Sequence, residues 1–543
     1  MPHNDPPEYH AASIPSGALE ACPPKARRWV LLAAIGGSSM AFVDGTVVNV
    51  ALPAIQRDLQ ADAFDAQWVV ESYALLLAAL LLVGGSLGDR FGRRRVFMIG
   101  VALFTAASAL CAMTADVGQL ILARGVQGVG AALLVPGSLA LISAAFPEQE
   151  RGRAIGTWSG FSGITAALGP VLGGYLVDHY SWIWAFLINL PLGAAVLLVS
   201  GTRVPESRSV EGAAGPLDLK GAFFATLGLG GIVYAFIEAP NRGWGSLPVL
   251  AALLVGIAAA LLFVFVEARC AAPMLPLRLF RQRDFAGANL LTLLLYAALG
   301  GSLYFFPLNL IQVQGYSATA AGAAFLPFIL IMFVLSRWAG QLVDRFGAML
   351  PLVVGPLIAA LGFALFALPG LGAGYWLSYF PAVVVLGFGM TITIAPLTTT
   401  VMNSVGTDLA GIASGVNNAV SRVAALLAIA VFGIVMAAAF DATLVTMLRD
   451  LPVPEAARGE VLAQRGRLAG MVLPKVDAAS TALLKQAVGE AFLAGFRWVM
   501  GIGTALALLS AASAWLMIGR RRAQVQPRTA DAPETIPRRG NDS

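Results

Sequence analysis

The residue best placed to do chemistry in this chain is an aspartate in an apolar run. Asp44 stands in Phe42-Val43-Asp44-Gly45-Thr46-Val47-Val48-Asn49-Val50-Ala51-Leu52-Pro53, fifteen residues beyond Trp29. An acid at hydrocarbon depth costs on the order of 3 kcal/mol if charged and unpaired, so it reads as functional. The plainer alternative is an aspartate that caps or pairs with a neighbouring helix. Two more charges interrupt apolar runs, Glu71 and Arg124. Two acids and a cation that moves between them can bind and release protons, because a nearby cation favours the charged acid while burial disfavours it. Other chemistries lack their parts. His3, His10 and His179 form no metal-ligand cluster, and no P-loop is present, so neither metal, cofactor nor ATP drive is expected.

The elements that position these residues are membrane helices. Hydrophobic residues make up 58% of the 543 and charged residues 12%, against about 25% charged in soluble chains. The mean hydropathy is +0.77. Net charge is +5. The arginines lie between apolar runs and form no single patch, which argues against nucleic acid as a partner. Three cysteines are too few for a disulfide framework, and the polar, Pro-rich residues 1–24 are not expected to act as a signal peptide. Fourteen runs of about 20 residues fit spans. Spans 1–6 fall in 29–203 and form one six-helix bundle. Two extra spans lie in the linker 204–284. Spans 9–14 form a second bundle over 285–519, which includes a long extracytoplasmic loop at 440–489. Tails cover 1–28 and 520–543. Arg90, Arg93, Arg94, Arg95, Arg151, Arg153 and Arg520 to Arg522 crowd one set of short segments, while the opposite short loops carry Arg57 and Arg242. Both termini are therefore expected in the cytoplasm, with the protein multi-pass in the cytoplasmic (inner) membrane and in contact with the lipid bilayer.

Depth suggests that the three charges meet. At ~1.5 Å per residue, Asp44 lies ~22 Å from the inner face, while Glu71 and Arg124 lie ~6 and ~9 Å below the outer one. In a core of ~30 Å all three fall in the outer half, so Asp44, Glu71 and Arg124 are expected to form one cluster. The alternative for Glu71 is an interfacial residue. For Arg124 it is a structural arginine satisfied by backbone oxygens.

Two strings repeat 255 positions apart. Gly85-Ser86-Leu87-Gly88-Asp89-Arg90-Phe91-Gly92-Arg93-Arg94 recurs as Gly340-Gln341-Leu342-Val343-Asp344-Arg345-Phe346-Gly347, each between two apolar runs. Internal repeats with binding between them are how many secondary transporters are built. The first string resembles the signature of the major facilitator superfamily between its second and third spans. Arg124-Gly125-Val126-Gln127-Gly128-Val129-Gly130-Ala131-Ala132 resembles that superfamily's R-x-x-Q-G-x-G-A-A, whose implication is a role for Arg124 in proton transfer.

The Asp44 string resembles the D-x-T-V-V-N-V-A-L-P signature of fourteen-span drug:proton antiporters of the EmrB/QacA type. Gly169-Pro170-Val171-Leu172-Gly173-Gly174 resembles the exporter motif, with Thr165 in place of its first glycine, and Ser181-Trp182-Ile183-Trp184 departs from the family's S-W-R-W at Ile183. Gln312 to Pro327 and Gly411 to Asn418 resemble further family strings, so the likeness covers most of the chain.

The resemblance implies an all-α integral membrane protein of major-facilitator fold, with two six-helix bundles and two extra central spans. It implies no enzyme but a proton-coupled antiporter exporting amphipathic organic compounds by alternating access, with protons as the coupled species. The rival is an exporter of an endogenous metabolite or a symporter on the same fold. A periplasmic adaptor protein at the outer face is the protein partner this reading admits. Asp89, Arg90, Gly92, Arg93, Arg94, Asp344, Arg345, Gly169, Pro170, Gly173 and Gly174 are expected to work in gating. The partners expected for Asp89 are Arg90, Arg93 or Arg94 and a helix N-terminus in the other half; the plainer alternative is a topology anchor. Asn49, Gln127, Tyr296, Tyr304, Phe305, Asn417 and Arg422 are expected to line a cavity, the alternative for the aromatics being lipid contact or packing.

Overall fold

The computed structural model describes residues 23–208, 218–270, 273–405 and 410–519. The expected tails lie almost wholly outside these, as does the middle of the first linker. The described residues contain fourteen helices long and apolar enough to cross a membrane, as the sequence predicts. Helices satisfy every interior backbone group within the segment, which lipid requires. They are α1 (Pro24–Asp58), α2 (Ala63–Phe91), α3 (Arg93–Ala112), α4 (Val117–Ala145), α5 (Glu148–His179), α6 (Trp184–Arg203), α7 (Leu219–Arg242) and α8 (Leu247–Arg269). There follow α9 (Arg283–Val313), α10 (Ala318–Ser336), α11 (Met349–Phe366), α12 (Tyr375–Asn403), α13 (Ala410–Asp450) and α14 (Ala478–Met517). Aspartates start several of them. Asp62 accepts from the Asp65 N–H at 2.7 Å and Asp116 from the Gln119 N–H at 2.9 Å. Such caps satisfy donors that the first turn leaves open.

The chain divides into two compact units. Of the described residues, the first holds 23–208, 218–235, 247–270, 273–274 and 317–322. In it α4 packs on α2 and α3, α5 on α1, and α6 on both α1 and α3. Phe97, Phe104, Met40 and Tyr73 fill its core. The extra helices α7 and α8 cross at glycines: a Cβ on Gly256 would stand 2.7 Å from the Ile232 nitrogen. The helix α8 is the most apolar and the least buried of the fourteen, as lipid contact requires.

Of the described residues, the second unit holds 236–246, 275–316, 323–405 and 410–519. Here α9 packs on α13 and α14, and α12 on α10 and α11. The Phe306 ring sits among Phe325, Phe366 and Tyr379. With 41 and 40 residues, α13 and α14 are ~60 Å long, twice a hydrocarbon core. They pack on each other and continue beyond it. The segment 440–489, expected as a loop, is therefore largely helical. The end of α13 and the start of α14 flank a short helix, Glu455–Ala463, and a turn, Arg465–Gly470. Arg465 reaches Asp441 at 3.5 Å, Gln464 and Val472 exchange two hydrogen bonds, and Val461 and Leu468 are buried beneath. Beside this cap lies a cavity of about 430 Å³, lined by Gln312, Leu371, Met471 and Lys485 among others.

Overpacking a close crossing costs about 1–3 kcal/mol. Gly256→Leu is expected to lower the thermal midpoint of the purified protein, while Leu254→Ala, on the exposed face of α8, leaves it unchanged.

Candidate functional site

Asp44 and Arg124 are fully buried in the first unit and form an ion pair between Asp44 Oδ2 and Arg124 Nη1. Beside the pair, α4 lies close against α2. A Cβ on Gly128, one turn further along, would stand 2.5 Å from the Tyr73 carbonyl oxygen, which only glycine permits. Arg124 Nε donates to the Val69 carbonyl at 3.0 Å, and its guanidinium lies 4.3 Å from the centre of the Tyr73 ring. A cation over an aromatic face is stabilised by the ring quadrupole.

The remaining valences close around the pair. Gln127 Oε1 accepts from Arg124 Nη1 at 2.6 Å, and Gln127 Nε2 donates to Asp44 Oδ1 at 2.7 Å and to Ser108 Oγ at 2.9 Å. Asn189 Nδ2 donates to Asp44 Oδ1 at 3.1 Å. Ser108, Gln127 and Asn189 are all buried. One polar hub thus ties α1, α2, α3, α4 and α6 together. Buried ion pairs persist when their remaining lone pairs and protons are satisfied, and here Arg124 Nε and Nη1 and both carboxylate oxygens of Asp44 are engaged. Gln127 was expected as a cavity residue; it is part of the hub. Ser108 and Asn189 were not singled out in the sequence. Asn189 had a readable signal, an amide in the apolar string Phe186-Leu187-Ile188-Asn189-Leu190-Pro191, whereas Ser108 had none.

Glu71 does not join. The residues of α2 that face Arg124 are Val69 and Tyr73, four apart. Glu71 is two residues from each, about 200° around the helix. It is fully buried, and neither carboxylate oxygen has a hydrogen-bond partner. The expected acid–base–acid cluster is an acid–base pair with amide support.

At the hinge, Gly92 (φ 109°) turns α2 into α3, a conformation that favours glycine. Asp89 pairs with Arg93 through Nε at 2.9 Å and Nη2 at 2.8 Å. Arg90 is exposed. Arg94 donates to the Val204 carbonyl at 3.0 Å. Glu206, which the sequence did not single out, accepts the backbone N–H groups of Arg94 at 3.0 Å and Arg95 at 3.2 Å. A carboxylate there complements the positive end of α3. The second copy of the hinge string is the short helix Leu342–Phe346; Arg345 is exposed, and the side chain of Asp344 lies outside the described residues.

On α5, Gly169 and Gly173 face Thr46 and Val47 of α1. Gly174 meets Ala318, and Gly322 meets Pro170. Asp178, one turn after Gly174 on the same face, accepts from the Ala318 N–H at 3.0 Å, the Thr319 N–H at 2.8 Å and the Thr319 hydroxyl at 2.6 Å. The segment 317–322 is thereby pinned to α5 within the first unit.

The expected cavity residues are spread. Asn49 is half-buried, with its Oδ1 unpartnered. In the second unit Tyr304 and Phe305 are buried, edge to face at 4.8 Å, and Tyr296 and Arg422 are half-buried. Asn417 of α13 donates to Asn289 at 3.1 Å and Thr292 at 2.7 Å on α9.

Residues 34–429 match the family model described as Major Facilitator Superfamily. The chain belongs to that superfamily. It is accordingly a transporter and not an enzyme. Among its relatives, the multidrug resistance protein Stp of Mycobacterium tuberculosis is 37% identical over 79% of each chain. The tetracenomycin C resistance and export protein of Streptomyces glaucescens is 34% identical over 94% of this chain and 95% of that one. The fold is similar to that of a bacterial homolog of the human lysosomal transporter Spinster, in an inward-facing and unoccupied conformation. The TM-score is 0.64 at 18% identity, covering 91% of this chain and 97% of that one.

In this superfamily member the hub makes a stability prediction. Removing one partner of a buried pair costs about 3–5 kcal/mol because the other charge is left alone. Arg124→Ala is expected to destabilise the purified protein more than the double variant Arg124→Ala/Asp44→Asn does, as read by thermal unfolding. Equal destabilisation would show that the pair carries no coupling. For the α5 contact, Asp178→Ala is expected to raise thiol-reagent access to a cysteine placed at Thr319; unchanged access would show that Asp178 does not hold the segment.

Proposed function

We propose that the protein is a proton-coupled exporter of amphipathic organic compounds, with Asp44 as the coupling acid. The observation that supports it most is the ion pair of Asp44 and Arg124 sealed at hydrocarbon depth. A charge kept in a membrane helix needs a use, and a carboxylate held by a movable cation has one. A proton arriving at Asp44 removes the negative charge that holds Arg124. The arginine then keeps the Val69 carbonyl, Gln127 and the Tyr73 face, while α1 loses its ionic tie to α4 and keeps only neutral hydrogen bonds to it. Proton binding would thus bias the equilibrium between two packings of the bundle, which is what coupling requires. Asp89, Glu206 and Asp178 are suited to hold particular packings: the first two brace the turn between α2 and α3, the third pins 317–322 to α5. The two termini would lie in the cytoplasm, beside the basic segments.

Export of amphipathic organics is supported by the relatives named for multidrug resistance and for tetracenomycin C resistance and export. It also suits a protein whose helices present few charges away from their ends.

The test is transport in proteoliposomes under an imposed pH gradient, with cationic, neutral and anionic amphipathic dyes as probes. Wild type is expected to move at least one dye against its gradient in exchange for protons. Asp44→Asn should reduce this to the level of protein-free vesicles while keeping the wild-type elution profile. Full gradient-driven export by Asp44→Asn would remove Asp44 as the coupling acid, and co-directional flux of dye and protons would make the protein a symporter.

A further inference from the structure

Glu71 is an unused acid. It is fully buried, and both its oxygens lack a partner. Its surroundings follow from its helix face. Trp68, three residues before it, packs its ring on Tyr234 of α7, with centroids 6.0 Å apart. Leu75, four residues after it, meets Gly230 of α7, where a Cβ would stand 3.6 Å from Leu75 Cδ2. Residues at these spacings share one stripe of a helix, so Glu71 lies on the face of α2 that α7 covers. The opposite face carries Val69 and Tyr73 and belongs to Arg124.

The charged and titratable groups nearby are engaged elsewhere or neutral. Tyr234 is the one on the covering stretch of α7. Arg124 of α4 and Asp44 of α1 are turned to each other, and Cys111 of α3 points at Gln127 at 3.8 Å. Further along α7, Glu238 is held by Arg242 at 2.7 Å.

We propose that Glu71 is a second proton-binding site, roofed by α7, so that the extra hairpin α7–α8 controls when this carboxyl exchanges its proton with water. The proposal rests on the reading of the protein as proton-coupled. A carboxylate sealed without donor or cation is its costliest state, so the sealed residue carries a proton. When α7 withdraws and water enters, the O–H bond breaks, the proton passes to water and the carboxylate is hydrated. Closure requires that a proton be taken back first. The geometry allows α7 to move. Its Gly228 and Gly231 lie against α8, and the outer surface of α8 is the least buried of any span. These glycines join α7 to α8 so that the hairpin can move as one piece, and toward α2 it rests on Trp68 and Leu75 through Tyr234 and Gly230. The two extra helices thereby acquire a role, since one acid sits in the hub and the other under the hairpin.

The experiment uses dicyclohexylcarbodiimide, which modifies neutral carboxyls in apolar surroundings, on the full-length protein in proteoliposomes. Labelling of Glu71 is quantified by mass spectrometry. Leu75→Cys/Gly230→Cys, with Cys22, Cys111 and Cys270 changed to alanine, allows α7 to be bridged to α2 by a short thiol cross-linker and released by reduction. Glu71 is expected to be labelled in the reduced protein at neutral pH, several-fold less when bridged, and fully again after release. Gly230→Trp, a wedge that needs no cross-link, is expected to raise the labelling rate. Absence of labelling in every form would show that Glu71 is not a neutral buried acid. Equal labelling in bridged and released protein, with no effect of the wedge, would show that α7 is not its roof. The coupling reading fails separately: full export under a pH gradient by both Asp44→Asn and Glu71→Gln would overturn it and leave the labelling result standing.

Discussion

A charge in a membrane-spanning helix must find its opposite, and Asp44 finds it in Arg124. The rest of the first unit is arranged around that requirement. The glycine at position 128 brings α4 onto α2 so that the guanidinium can reach the Val69 carbonyl and the Tyr73 face. Gln127 and Asn189 saturate the carboxylate from α4 and α6. Such a hub is strong while complete and costly when one member changes charge, because the low dielectric penalises every unpaired group. The same low dielectric makes it stable in one protonation state and responsive to the other.

Three smaller contacts repeat this logic nearer the ends of helices. Asp89 with Arg93, Glu206 at the start of α3, and Asp178 at the start of α10 each set a carboxylate against a cation or a helix N-terminus. Their carboxylates are at least partly exposed, so each is individually weak and easily exchanged. Weak contacts at the ends and a strong one in the middle suit a protein that must change packing without losing its fold.

Much of this was legible in the sequence. Fourteen spans followed from apolar length, and the Asp44–Arg124 pair from the cost of charge at depth. Glu71 marks the limit of that legibility. Counting residues placed it in the outer half beside the pair, but azimuth decides partnership, and Val69 and Tyr73 occupy the face toward Arg124. A helical wheel of 68–75 would have separated them. Ser108 carries no charge, so nothing distinguishes it from a serine bonded to its own helix, which it also is, donating to the Phe104 carbonyl at 2.8 Å. Glu206 lay in a linker rich in charge, where one more acid gives no signal. The segment 440–489 read as a loop because its charges break the apolar runs that define spans, yet helices outside lipid need no such run.

The central claim is that a proton on Asp44 releases Arg124. Infrared difference spectroscopy of the substrate-free protein, wild type against Asp44→Asn, tests it most directly. The account predicts a carboxylate stretch at neutral pH that is absent from the variant. On acidification within the range of active transport it should convert to a protonated carbonyl stretch, with a matching change in the guanidinium bands. An Asp44 carboxylate that stays ionised across that whole range, while transport proceeds, would contradict it.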